Sequence, residues 1–118
     1  KLHKVNTLDP TVMDARTVVQ MATTGGAAAI GLDRQIGSLE PGKEADLIVI
    51  DTKNPRLAPL YNPISQVVYA ALGSDVRDVI VSGKMVVRNH KLLTIDLDDL
   101  LERVGSIGDT IKRELTKK

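Results

Sequence analysis

Apolar positions along the chain fall into three spacings, and each predicts a different element. Val12, Ala15, Val18, Val19 and Ala22 recur every three or four residues, which predicts a helix with one apolar face. Two starts compete for it. Thr11 with Asp14 three residues on reads as a capping box, and Asp9 before Pro10 is the alternative. Gly25-Gly26 is expected to break or kink this helix. A short second helix over 27–30 follows, with Thr24 as its cap and Gly31 as its C-terminal stop. Residues 31–44 read as turns, punctuated by Gly37, Pro41 and Gly42. The four-residue apolar run between Asp46 and Asp51 is rich in β-branching and predicts a buried strand.

Asn54-Pro55 and Pro59 mark a loop, and Pro63 suits the first turn of a helix carrying Ile64, Val67, Val68 and Ala71, closed near Gly73. Val76–Val81 and Lys84–Arg88 read as strands, and the two residues between them, Ser82-Gly83, suit a tight hairpin. Asn89-His90 predicts another turn, with 92–95 a short extension of the sheet. The last element is a long helix in which Leu97, Leu100, Leu101, Val104, Ile107, Ile111 and Leu115 form one stripe. Acids crowd its start (Asp96, Asp98, Asp99, Glu102) and bases its end (Lys112, Arg113, Lys117, Lys118), which suits the helix dipole. Gly105 and Gly108 mark a weak spot or a place where another backbone comes close. Three or four strands leave at least one sheet edge open.

Composition narrows the function classes. The 118 residues amount to one domain's worth of chain. With 16 Lys plus Arg against 15 Asp plus Glu, the net charge of +1 offers no field to steer nucleic acid or an anionic membrane. Aromatics make up 2%, Tyr61 and Tyr69, so the core must be aliphatic and base-stacking platforms are absent. The absence of cysteine excludes disulfides, thiol nucleophiles and thiolate metal sites. A cytoplasmic setting is expected, without membrane or nucleic-acid partners. The first residue, Lys1, suggests a piece cut from something longer.

Local chemical motifs are incomplete. Residues 37–43 fit the start of a phosphate-binding loop, but Glu44 stands where Ser or Thr should hold magnesium, and the segment feeds a strand instead of a helix. A tight turn is the expected reading. Gly25, Gly26 and Gly31 follow a helix, so they suit close packing better than a dinucleotide fingerprint. His3 and His90 have no ligand-type neighbours and read as solvated. Asp98-Asp99, Asp75 and Asp78 sit at element starts, where acids serve as caps, and no serine lies in a nucleophile elbow. No residue of this chain is assigned a catalytic, cofactor-binding or metal-ligating role.

Residues 36–51, from Ile36-Gly37-Ser38-Leu39-Glu40-Pro41-Gly42-Lys43 through Ala45-Asp46 to Asp51, resemble a signature near the C-terminus of amidohydrolase-superfamily enzymes. Met21-Ala22-Thr23 with Gly26-Ala27 and Gly31-Leu32 resembles the helix pair preceding it, and residues 75–84 resemble the hairpin that follows. The resemblance spans about residues 12–105. Within it, 59–65 and 68–71 look most like the aminohydrolase branch, nearest the 5-methylthioadenosine/S-adenosylhomocysteine deaminases and then the chlorohydrolases.

The resemblance implies a (β/α)8 barrel with a small β-sandwich built from both chain ends. It also implies zinc or iron activating a water for hydrolytic deamination of a purine nucleoside derivative. The metal ligands in such enzymes are a His-x-His pair, two later histidines and an aspartate, with a glutamate moving protons. None of these maps onto this chain. The expected fold is therefore an α+β fragment. Residues 1–35 would be the last barrel helices, 36–95 the C-terminal part of the composite sandwich, and 96–118 a helix packed on the outside. The metal would lie in the parent enzyme, with none bound by this chain. The open edge would be completed by the remainder of the parent polypeptide or by a second copy. The alternative is a non-catalytic β-domain serving assembly or interaction.

Overall fold

The computed structural model describes residues 2–116. Helix α1 (Leu2–Thr7) leads to a turn in which the Asp9 carboxylate accepts from both the amide and the hydroxyl of Thr11. That use of Asp9 and Thr11 decides where the next helix begins. Neither predicted start is taken. Asp14 is the cap, its Oδ1 accepting from Thr17 N at 2.7 Å, and α2 runs Ala15–Gln20. Gly25-Gly26 do not break the helix either. Both keep right-handed helical angles, and the irregularity is a wider, five-residue π turn over Met21–Gly25. The Thr24 hydroxyl donates back to Gln20 O, so Thr24 caps nothing, and α3 (Gly26–Ala29) continues the same rod. Its stop is as expected. Gly31 takes φ +73°, and the amides of Gly31 and Leu32 reach back to the carbonyls of Ala28 and Ala27, a Schellman ending.

The sheet is an antiparallel meander of β1 (Leu47–Ile50), β2 (Val76–Val81), β3 (Lys84–Arg88) and β4 (Lys91–Leu92), in that order. Ser82 and Gly83 at the first hairpin, and Asn89 and His90 at the second, all have positive φ, as two-residue turns matched to strand twist require. The extension expected over 92–95 stops at Leu92, because the chain turns there toward the next cap. Asp96 Oδ1 accepts from the amides of Asp98 and Asp99, and α5 runs Leu97–Thr116. Lys117 and Lys118, expected at its basic end, lie outside the described residues. Between β1 and β2, α4 (Pro63–Tyr69) starts on Asn62, which caps Ser65 N, and ends at Tyr69, short of the predicted close near Gly73. The 73–75 stretch forms its own 3-10 turn.

Among the described residues only Ala27 and Leu57 are fully buried hydrophobics. The accessible surface is 9566 Å², against about 6,300 Å² for a compact monomer of this mass. The radius of gyration is 20.0 Å, where about 13.5 Å is usual for this length. These elements are well formed locally and do not close on one another.

Candidate functional site

The resemblance-bearing segment is a structural clamp. Lys43, whose position mimics a phosphate-binding lysine, points back into its own loop. Its Nζ donates to Asp33 O at 2.7 Å and to Ser38 Oγ at 2.8 Å, and Glu44 N donates to Gln35 O. Gly37, at φ +94°, presses on the helical rod: a Cβ there would lie 2.7 Å from Ala27 Cβ and 3.1 Å from Thr23 O. One more contact ties the segment to the sheet. Asp46 Oδ1 accepts from Ser82 N at 2.7 Å and Ala45 O from Gly83 N at 3.1 Å, so the Ala-Asp pair pins the β2–β3 hairpin turn. The sequence reading missed this role; a short acceptor directly before a strand was its only signal.

Asp75 and Asp78, read as caps at element starts, are buried, and Asp75 does cap, accepting from the Leu72 amide. Asp75 is a hub. Its carboxylate accepts from Leu72 N (2.8 Å), Arg56 Nη2 (2.8 Å) and Asn54 Nδ2 (3.2 Å), and its carbonyl accepts from Asp51 N. Arg56 also donates to Ala70 O, so one ion pair joins the end of β1, the 54–57 turn, the end of α4 and the start of β2. The Leu72 amide first, and then Arg56 and Asn54, hold the Asp75 carboxyl below its ordinary range. Asp78 is held down likewise by Asn89 N and then by Arg77 Nε. Every donor facing these two acids stabilises the ionised form.

The histidines remain apart. His3 lies exposed on α1, and His90 occupies the second hairpin turn at φ +64°. His90 borders a shallow polar hollow of about 220 Å³ with Asp51, Asn54 and Asp75. Among the described residues no three His, Cys, Asp or Glu side chains converge where they could hold a metal ion. The residues present do not fit the zinc or iron that the resemblance implies. Asp98 and Asp99 lie in the first turn of α5, beside the Asp96 cap. No described helix is long and apolar enough to cross a membrane.

What the chain does offer is unfilled apolar surface. A trough of about 660 Å³ runs between the 22–39 segment and the β1–β2 face, floored by Leu47, Val79 and Val81 and walled by Ala22, Ala27 and Ile36. A second hollow of about 240 Å³ lies between Ile48, Ile50, Leu60 and Val67. Beside both, β1 is a sheet edge with no neighbour on its outer side among the described residues. This is the geometry of one partner in a larger packing unit.

Known proteins contain the same unit. The chain is 54% identical over 112 residues to a 5-methylthioadenosine/S-adenosylhomocysteine deaminase of Syntrophobacter fumaroxidans, a match covering 95% of the chain and 26% of that protein. It is 42% identical over 110 residues to a 5'-deoxyadenosine deaminase of Methanosarcina acetivorans, covering 93% and 25%. Among solved structures, a zinc-bound adenosine deaminase from Xanthomonas campestris superposes with a TM-score of 0.86 at 37% identity, over 95% of the chain and 26% of that structure. A zinc complex of atrazine chlorohydrolase from Arthrobacter aurescens gives 0.71 at 24% identity, over 80% and 20%, a likeness of fold alone. The chain thus spans about a quarter of the length of the curated relatives it matches. The amidohydrolase family profile matches residues 1–86, and by that match this chain belongs to the amidohydrolase family.

Proposed function

We propose that this chain is the C-terminal part of a metal-dependent aminohydrolase that hydrolytically deaminates a purine nucleoside derivative of the 5-methylthioadenosine/S-adenosylhomocysteine type. In that reaction water adds at the amino-bearing ring carbon and ammonia leaves, so the amine is exchanged for a carbonyl. The observation that carries the reading is the 54% identity, across nearly the whole chain, to a relative named for that activity. On this reading residues 1–35 are the last barrel helices, 36–95 the C-terminal share of a composite sandwich, and 96–118 an outer helix. The metal, zinc or iron, and the reacting groups are carried by the rest of the polypeptide, in the cytoplasm. This chain's own work is mechanical. Lys43, Asp46 and Asp75 fix a sheet whose open face and edge receive the remaining strands.

The test is a deamination assay on the full-length gene product, following ammonia release and the absorbance change of adenine to hypoxanthine. 5-Methylthioadenosine, S-adenosylhomocysteine and 5'-deoxyadenosine are the three substrates to compare, the last because several relatives are named for it. Turnover of at least one, abolished by a chelator and restored by zinc or iron, is expected. Metal-replete full-length protein inert toward all three would remove this reading and leave the assembly-domain alternative.

A further inference from the structure

Helix α4 belongs to one half of the chain by sequence and to the other by packing. It lies between β1 and β2 in order. Yet among the described residues the main packing of the helical segment onto any later element is α2 against α4. Lys4, on α1, adds a cation over the ring of Tyr69 at the end of α4, 5.8 Å from its centroid. Toward the sheet, apolar packing leaves α4 open, since the hollow of about 240 Å³ lies between it and β1.

Hydrogen bonds from the 54–59 turn span that gap. At the middle of the helix, Gln66 Nε2 donates to Leu57 O (3.3 Å) and Pro59 O (3.2 Å). At its C-terminal end, Arg56 Nη1 donates to Ala70 O at 3.2 Å and Arg56 Nη2 to Asp75 Oδ1 at 2.8 Å, directly before β2. One planar guanidinium thus holds a carbonyl at the negative end of a helix and a buried carboxylate on the sheet side. Asp75 is fixed by Leu72 N and Asn54 Nδ2 as well, so Arg56 is what carries that anchorage across to the helix.

We infer that Arg56 is a latch between the two halves: it holds the end of α4 to the sheet and, through α4, steadies α2. The latch needs a fork and not merely a charge. A lysine at this position keeps a cation beside Asp75 but lacks the rigid pair of donors that reaches a second acceptor on another element. With the latch released, the last turn of α4 loosens and α2 loses the surface it packs on. The β2–β3 hairpin stays closed, because Asp46 pins it independently.

Amide hydrogen exchange of the full-length gene product, read segment by segment, tests this without reference to any deaminase activity. In Arg56→Lys, which keeps the buried Asp75 beside a cation, exchange over 66–71 and 15–20 should rise about tenfold. Exchange over 76–81 and 84–88 should stay at the parent rate. Arg56→Met, which removes both bonds, should extend the rise to 51–57 and 72–75. Parent-like exchange over 66–71 in Arg56→Lys would overturn the inference, since a charge would then suffice. So would a rise that stops at α4 and leaves α2 unchanged. A uniform rise in every segment would do the same, because Arg56 would then add to global stability without joining two separable halves.

Discussion

At Gly37 and Gly42 the same backbone requirement meets different surroundings, and the difference can be measured. Both have φ near +93°, but a side chain at Gly42 would meet nothing within 4 Å, whereas one at Gly37 would strike Ala27 and the Thr23 carbonyl. Gly42→Ala should cost about 1–2 kcal/mol of backbone strain, and Gly37→Ala about 2–4 kcal/mol because overpacking adds to it. Denaturant midpoints of the two variants in the full-length protein check this. Equal losses would mean that the loop does not seat on the helical rod. Asp75 gives a prediction in pH. Its donors hold the folded carboxyl pKa below the ordinary aspartate range. The stability it adds is thus present above the unfolded value and is lost as pH falls through the folded one. Asp75→Asn should be less stable than the parent at neutral pH, with a shallower fall in stability between about pH 5 and the acid limit. Urea midpoints taken across that range measure it, and parallel curves for both proteins would show that Asp75 contributes no acid sensitivity.

The second hairpin turn offers a prediction at the scale of the element. His90 holds a left-handed conformation that glycine adopts without strain. His90→Gly should therefore stabilise by roughly 0.5–1 kcal/mol and leave turnover of the full-length enzyme unchanged. Thermal midpoint and kcat together read it, and a loss of activity or bound metal would place His90 in the reactive centre. Hairpins were also what the sequence displayed best. A two-residue Ser-Gly between two β-branched runs permits few alternatives, and both strands fall where the pattern put them. Helix starts were less legible, because a cap is chosen by competition between neighbours. Thr11 looked like a cap until Asp9 claimed its hydroxyl, leaving the role to Asp14. Gly25-Gly26 looked like a break because propensity is read residue by residue, while a π turn absorbs both glycines without leaving the helix. The burial of Asp75 and Asp78 was illegible, since their donors, Arg56 and Asn89, come from other parts of the chain.

For the molecule as a whole, the sequence displayed an aliphatic stock of core residues but not where that core would close. Leu39, Ile48, Leu60 and the α5 stripe are core-type residues by composition, and all are exposed here. The accessible surface exceeds that of a compact monomer of equal mass by about 3,000 Å², more than a standard protein–protein interface buries. With this many large aliphatic side chains in it, surface left open on that scale is not stable in water by itself. The 118-residue chain expressed alone should thus bind a hydrophobic dye strongly and sediment as heterogeneous aggregates. Expressed together with the rest of the same gene product as a separate piece, it should become soluble and co-purify, because the trough beside β1 and the β1 edge would then be filled. Replacing Val79, on the floor of that trough, with Asp should abolish co-purification, since an unpaired carboxylate would be buried where the partner strands must pack. An isolated chain that is monodisperse, dye-silent and cooperatively folded would show that these faces are finished surfaces, and the mechanical role proposed for Lys43, Asp46 and Asp75 would lose its purpose.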